Sequence, residues 1–365
     1  MTMRSKRVLC VLALLFGLGA GAALMPCASQ AAEWSPALQQ VIAGARQEGK
    51  LTMSTAVNVA GGADGMRAVQ AGIASLFGVS LEMSWAPAPS FGPMVAKLNQ
   101  EFQAGVPAST DVDFAAAPHL GPYIDGNLFR KVAWHELWPD RIPPSGFERE
   151  RALRFETFLP GILYNVKAAP WARDIDVVAD VLKPEYKGKF ATTPYLSGFD
   201  ALVAQSAWGK EKTTAFVTRL AGQIGAVMAC AGTDRIAAGE VAALVIDCSG
   251  ASPNIARYRG VLDVKVPRDI AMRRYVYMSI PSNAAHPNAA ILAALYLVSL
   301  AGQRDVALTM DGIDEDDYPE TWTHQRVASL RQEGAQFLDV DIGWWKTNPD
   351  ADKDFNELVK ILQKN

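Results

Sequence analysis

Apolar positions between residues 34 and 116 switch repeatedly between two spacings. Leu38, Val41, Ile42 and Ala45 keep the spacing of one helix face. Ser35-Pro36 ahead of them is an N-cap followed by proline at the first helical position, and Gly49 behind them is a stop. Lys50–Ala56 then reads as a strand running into a glycine turn at Gly61-Gly62. The cycle repeats with a helix over 66–77, a strand over 79–85, a helix over 91–103 and a short buried strand over 112–116. Strands alternating with helices of roughly ten to fifteen residues indicate parallel βαβ units, and hence an α/β fold.

The middle of the chain changes character. Residues 130–150 mix Trp, Pro and charge without a period and read as an irregular excursion. Residues 155–164 are strand-like, with Asn165 and Pro170 marking their end, and a second helix–strand series fills 177–266. Residues 273–280 are again strand-like, and a long apolar helix over 288–300 ends at Gly302. No internal repeat or low-complexity segment follows residue 32.

Residues 1–32 follow a different logic. Arg4, Lys6 and Arg7 precede an uncharged apolar stretch over 8–24 and a small-residue exit, Ala28-Ser29-Gln30-Ala31-Ala32. That order is an export signal, cleaved after Ala31 or Ala32; Cys27 follows Pro26, a poor neighbour for lipid attachment. The most apolar later stretch, 289–301, is too short to span a bilayer, so the mature chain is expected to be soluble and periplasmic. Losing three cationic side chains takes the formal charge from −3 to −6, which excludes a basic nucleic-acid-binding face. With 50% hydrophobic and 20% charged residues, the mature chain can bury more than one core, and two domains are expected. Cys10 and Cys27 leave with the signal. Cys230 and Cys248 each end a strand-like run, 226–230 and 241–248; as parallel neighbours these would bring the two Cα atoms within reach of a disulfide, which is expected here.

Four segments carry a resemblance: ARQEGKLTMST at 45–55; VAKLNQEFQAG at 95–105 with TDVD at 110–113; GILYN at 161–165 with VLKPEYKGKF at 181–190; and SNAAHPNAA at 282–290 running to SLAGQ at 299–303. In this order they resemble the extracellular solute-binding proteins of ABC importers, in the branch that includes ferric-ion, polyamine and thiamine binders. The resemblance implies a two-lobed, type 2 periplasmic-binding-protein fold with two hinge crossings, at 155–164 and 273–280. Lobe one would comprise 33–164 and 276–365, and lobe two 165–275. It also implies a monomer that closes on a small-molecule ligand and is then recognised by an ABC permease in the cytoplasmic membrane, with no enzymatic step, cofactor or metal.

In an open α/β sheet, ligands sit beyond the carboxyl ends of the strands. The candidate contacts are therefore Thr55, Ala56, Asn58, Pro89, Ser90, Ala117 and Pro118 on lobe one, and Ser197, Gly198, Phe199, Thr233, Asp247 and Ser249 on lobe two. Ser90 and Ser197 precede expected helices, where a hydroxyl and helix amides could hold an anionic group; an ordinary N-cap uses serine the same way. Asp247 is the one carboxylate of the set and suits an amine or a metal, or is an exposed loop acid. Ferric-ion members of the resembled family use adjacent tyrosines, and this chain has no Tyr-Tyr pair. Tyr275 and Tyr277 share one strand face and suit a structural place in the crossing. A set of hydroxyl, amide and apolar groups without a basic residue points to a small organic ligand, anionic where backbone amides receive it. Ferric ion is the alternative cargo, a sensor the alternative destination, and a secreted α/β hydrolase the rival class.

Against the hydrolase, no Gly-x-Ser-x-Gly elbow is present, and His119, His135, His286 and His324 lack metal-ligand spacing. The GLGAG run at 17–21 lies in the signal, and GARQEGK at 44–50 joins helix to strand, the reverse of a phosphate loop. The acidic run at 311–317 lacks the spacing of a calcium loop.

Overall fold

The computed structural model describes residues 34–56, 62–88, 91–229, 232–247, 258–307 and 322–363. Ser35 caps α1 (Pro36–Glu48), its Oγ accepting from the Leu38 N–H at 3.2 Å, and Gly49 ends the helix at φ 63°. β1 (Lys50–Ala56), α2 (Gly62–Phe77), β2 (Glu82–Ala88), α3 (Phe91–Gln103) and β3 (Asp113–Ala116) follow. β1 and β2 pair in parallel, and a bridge between Met53 and Val112 sets β3 beside β1 in the same sense. β2 starts three residues after the expected 79, because Val79 and Leu81 are buried beneath the end of α2 and not in the ladder.

Beyond α4 (Ala117–Leu120) and α5 (Trp134–Leu137) come β4 (Phe147–Glu148), β5 (Ala152–Phe158), β6 (Ile162–Asn165) and β7 (Phe190–Thr192). Then follow α6 (Phe199–Leu202), α7 (Lys210–Ala221), β8 (Ala226–Val227), α8 (Thr233–Ala237), β9 (Ala243–Leu244), β10 (Leu262–Lys265) and β11 (Met272–Ser279). The remaining elements are α9 (Pro287–Leu297), α10 (Leu300–Ala307), α11 (Trp322–Gln332), β12 (Leu338–Val340), α12 (Ile342–Thr347) and α13 (Ala351–Gln363).

Two larger sheets result. In the first, β11 is flanked by β5 and β12 and also pairs with β3; the second has the order β10-β6-β9-β7-β8. Residues 155–164, expected as one strand, are therefore two strands in different sheets. Pro160 between them has no N–H to give to either ladder. Gly161 is required by contact: a Cβ there would lie 2.7 Å from the Lys265 carbonyl oxygen and from Val264 Cγ1. β5 and β6 are both largely buried, so the hydrophobic pattern carries no mark where the sheet changes. The sheets divide at 159–161 and 266–271, a few residues from the expected boundaries at 164/165 and 275/276.

Residues 322–363, expected with lobe one, touch both sheets: β12 pairs with β11 in the first, while α11 and α13 pack on the side of the second. Val327 and Leu330 of α11 cluster with Leu163, Ala191 and Leu244. Leu358 and Leu362 of α13 lie with Phe216, Val217 and Leu220 of α7, where Lys210 Nζ meets Asp354 at 2.8 Å and Glu357 at 2.7 Å. An amphipathic helix declares which face it buries but not against which sheet.

α9 is buried on all sides from Ala289 to Leu297, and it ends before the expected residue 300 because Ser299 starts a new turn, its Oγ accepting from the Gly302 N–H at 3.0 Å. A helix wholly in the interior needs its first N–H groups satisfied from elsewhere. Glu48 of α1 does this: its carboxylate accepts from Asn288 N at 3.1 Å, Asn288 Nδ2 at 2.7 Å and Ala289 N at 2.8 Å. The negative charge also suits the positive end of the helix dipole. Nearby, buried Asp111 accepts from Thr52 N at 2.7 Å and His286 N at 2.9 Å, tying β1 to the turn before α9.

The β4–β5 hairpin stores strain. Arg149 (φ 53°) and Glu150 (φ 58°) are the central residues of the turn in its three-residue loop, closed by an Arg151 N–H to Glu148 carbonyl bond of 2.9 Å. Two consecutive left-handed residues make a type I′ turn, which favours Asn-Gly over side chains of this kind. The exposed pairs Arg149–Asp125 and Glu150–Lys131, both 3.7 Å, offset little of this strain. Replacing Arg149-Glu150 with Asn-Gly should stabilise the protein by about 1–2 kcal/mol, read as a higher urea midpoint at unchanged m-value.

Candidate ligand-binding cleft

The three parallel strands β1, β2 and β3 end together at Ala56, Ala88 and Ala116. Thr55, one residue before the first of these ends, is fully buried, and its Oγ accepts from Trp85 Nε1 at 2.8 Å. Ala117 is buried at the start of α4, with Pro118 and His119 partly exposed beside it. β11 runs the other way, so its early residues reach this same edge: Val276 lies opposite Ala116, and Arg274 opposite Phe158, the last residue of β5.

On the second sheet β7 ends at Thr192, and the Thr193 hydroxyl accepts from the Ser197 N–H at 2.8 Å. Between them Tyr195 is 44% exposed, an unusual position for so large a ring. Leu196 has φ 44°, and Ile246, after the neighbouring strand β9, has φ 51°. Left-handed backbone is costly for leucine and a clear outlier for β-branched isoleucine. Gly198 (φ 82°) lets the two loops interlock: a Cβ there would lie 2.3 Å from Ile246 Cγ2. The next residue, Asp247, is buried; its N–H donates to the Gly161 carbonyl at 2.8 Å, and its Oδ1 accepts from the Gly161 N–H at 2.9 Å.

Arg274 and Asp200, in the first turn of α6, join the two rims through bonds of 2.7 and 2.6 Å, with side chains only 17% and 15% exposed. Burial works against the Arg274 charge, but the attraction and hydrogen bonds of Asp200 outweigh it and hold the guanidinium above its ordinary pKa. Arg273 is held likewise by Asp339, at 2.5 and 2.6 Å, and Tyr275 donates to the same carboxylate at 2.9 Å.

Several sequence expectations meet this geometry. Ser197, Gly198 and Asp247 are brought together through Ile246. Asp247 is neither exposed nor a loop acid open to solvent; its carboxylate fastens the first crossing. Phe199 points into the core, stacked on Phe216 at 5.8 Å, and Thr233 is buried at the start of α8. Asn58, Pro89, Ser90, Ser249, Cys230 and Cys248 lie outside the described residues. The strands leading to the cysteines are not neighbours: β7 stands between β8 and β9. Tyr275 and Tyr277 do share a face, and burial pushes both phenols up, away from the phenolate a ferric ion would need. Among the described residues no group of three His, Cys, Asp or Glu side chains could hold a metal ion, and no helix is long and apolar enough to cross a membrane. Arg274, Asp200 and Tyr195 were missed. A rule that reads only strand carboxyl ends passes over an antiparallel strand, whose amino end lies at the rim.

No family model and no curated protein matches this chain. Solved structures do. An ABC transporter substrate-binding protein from Bradyrhizobium japonicum superposes with a TM-score of 0.66 at 15% identity, covering 86% of this chain and 99% of that one. Iron-bound HitA from Pseudomonas aeruginosa gives 0.60 at 14% identity, over 86% and 98%. AgtB from Agrobacterium tumefaciens, in complex with agropinic acid, gives 0.60 at 15% identity, over 86% and 98%. The fold is that of the ABC-transporter substrate-binding proteins. The segments 159–161 and 266–271 connect the two larger sheets.

Proposed function

We propose that the chain is exported to the periplasm and captures a small organic ligand between its lobes. There it is recognised by an ABC permease, and it carries out no reaction. The observation that carries the reading is the rim of the second lobe. Leu196 and Ile246 hold left-handed backbone on adjacent loops and interlock through Gly198 at the carboxyl edge of two parallel strands. Strain of this kind persists where a site uses it. The exposed ring of Tyr195 beside it offers an apolar face and the partly exposed Ser197 hydroxyl a polar contact, while buried Thr193 holds the turn by accepting from the Ser197 N–H. Arg274 at the cleft floor is already neutralised by Asp200, so the ligand needs no full negative charge there. An organic ligand is favoured over ferric ion because Tyr275 and Tyr277 are buried neutral phenols and the chain has no adjacent tyrosine pair to bring a second phenol beside Tyr195.

A thermal-shift screen of residues 33–365 tests this, using amino acids, polyamines, carboxylates, phosphonates, sugars, thiamine and ferric citrate. A ligand at a hundred times its Kd should add about 2.7 kcal/mol, roughly 5 °C for a chain this size. A shift with one organic class is expected. A shift with ferric citrate alone would overturn the organic cargo, and no shift with any class would overturn the binding role.

A further inference from the structure

β3 carries an acid where its strand is wholly enclosed. Asp113 is 0% exposed, and neither carboxyl oxygen has a hydrogen-bond partner of normal geometry. Directly opposite on β11 is Ser279, also 0% exposed, with its Oγ equally without a partner. Side chains directly opposite on antiparallel strands are near neighbours, with Cβ atoms about 5 Å apart. Asp113 shares its strand face with Ala115, which packs with Val95, Leu98, Leu120, Leu128 and Phe129.

Apart from Tyr277, whose buried hydroxyl also lacks a hydrogen-bond partner of normal geometry, the charged and titratable groups on every element packed against β3 are engaged elsewhere. On β1, Lys50 pairs with Glu82; on α3, Lys97 pairs with Glu101; on α4, His119 lies by the Phe91 ring; at the start of the strand, Asp111 holds His286. On β11, Arg273 and Arg274 hold Asp339 and Asp200, Tyr275 donates to Asp339, and Tyr277 is a buried neutral phenol; on β5, Arg154 lies over the Tyr275 ring. Burial therefore dominates, pushing the Asp113 pKa up to about 7 against the weak help of the Phe114 N–H.

We propose that Asp113 is kept as a neutral acid opposite Ser279, and that its deprotonation in this enclosed place loosens β11, the strand entering lobe one from the second crossing. The fold then carries a pH-sensitive element on a hinge strand. Its effect on stability is independent of the binding role; its effect on ligand retention rests on that role.

The sign follows from linkage. A carboxyl held above its unfolded value binds its proton more tightly in the folded state. Stability is therefore greatest below the ordinary carboxyl pKa, falls as pH rises from about 4 to about 7, and is flat above that. At most the unfolding equilibrium constant rises roughly a thousandfold over that window, about tenfold for each pH unit between the unfolded and folded pKa values.

Urea unfolding of wild type and Asp113→Asn should be compared at about pH 5 and about pH 8. Wild type should lose far more stability than the variant between the two. Parallel profiles would overturn the proposal. Should Asp113→Asn not fold, infrared difference spectra of the wild-type protein between the same pH values decide it: a protonated-carboxyl C=O band lost on raising pH is expected, and its absence would overturn the proposal. Hydrogen exchange, corrected for intrinsic rate, should show β11 amides opening more readily at the higher pH; unchanged protection there would sink the hinge part alone. With any ligand found by the screen, dissociation should accelerate at the higher pH in wild type and not in Asp113→Asn. A stability effect without this change would confine the element to folding, and failure of the screen itself would leave the stability result standing.

Discussion

Replacing Arg274 by alanine should lower stability by about 3 kcal/mol, roughly 6 °C in melting temperature. The substitution leaves the Asp200 carboxylate, only 15% exposed, without the guanidinium that offsets its desolvation. Loss of one partner of a buried pair costs more than loss of both, because the remaining charge is stranded. The Arg274→Met, Asp200→Leu double variant should accordingly recover most of the loss, since two apolar side chains can pack where the pair stood. Equal destabilisation of the single and double variants would show that packing around the aliphatic stem, and not charge compensation, is what Arg274 contributes. The pair also joins β11 to α6 across the lobes, so the single variant should weaken ligand binding even at temperatures where it is folded.

Gly198→Ala should cut ligand affinity at least tenfold. The alanine would have to hold φ 82°, costing about 1 kcal/mol or more, with its methyl 2.3 Å from Ile246 Cγ2. Relief requires the loop after β7 to part from the loop after β9, which moves Ser197 and Tyr195 relative to Asp247. Overpacking of this kind costs typically 1–3 kcal/mol beyond the backbone strain. Ile246→Ala in the same chain opens room for the methyl, so calorimetric titration of the double variant should regain part of the affinity. Additive losses in the two variants would mean the loops do not act on each other, and the pre-shaped rim would then lose its support.

Local signals settled the elements that carry their own boundaries. Ser35-Pro36 and Gly49 delimit α1, and 91–103 gave α3 at both ends, because caps and stops act within a few residues of the backbone they satisfy. The strand at 79–85 was displaced because Val79 and Leu81 are as apolar as strand residues yet bury themselves outside the ladder. The strand-end rule named Ser197, Gly198 and Asp247, and the structure sets all three just beyond the ends of β7 and β9. It also named Phe199 and Thr55, which are buried against Phe216 and Trp85, partners that lie 17 and 30 residues away and that no local pattern shows.

The α/β alternation, the caps that bound its helices, the shared face of Tyr275 and Tyr277, and the absence of a tyrosine pair are all legible along the chain. Each depends on spacing or identity within a short stretch of chain. The tertiary structure alone decided where 155–164 changes sheet, that α11 and α13 pack on the second sheet, and that Arg274 meets Asp200 at the rim. It also left Asp113 facing Ser279 with no charge near. In all four the local pattern says only that a side chain is buried or charged; which partner it meets is set by strand order and lobe contact, and neither has a period along the chain.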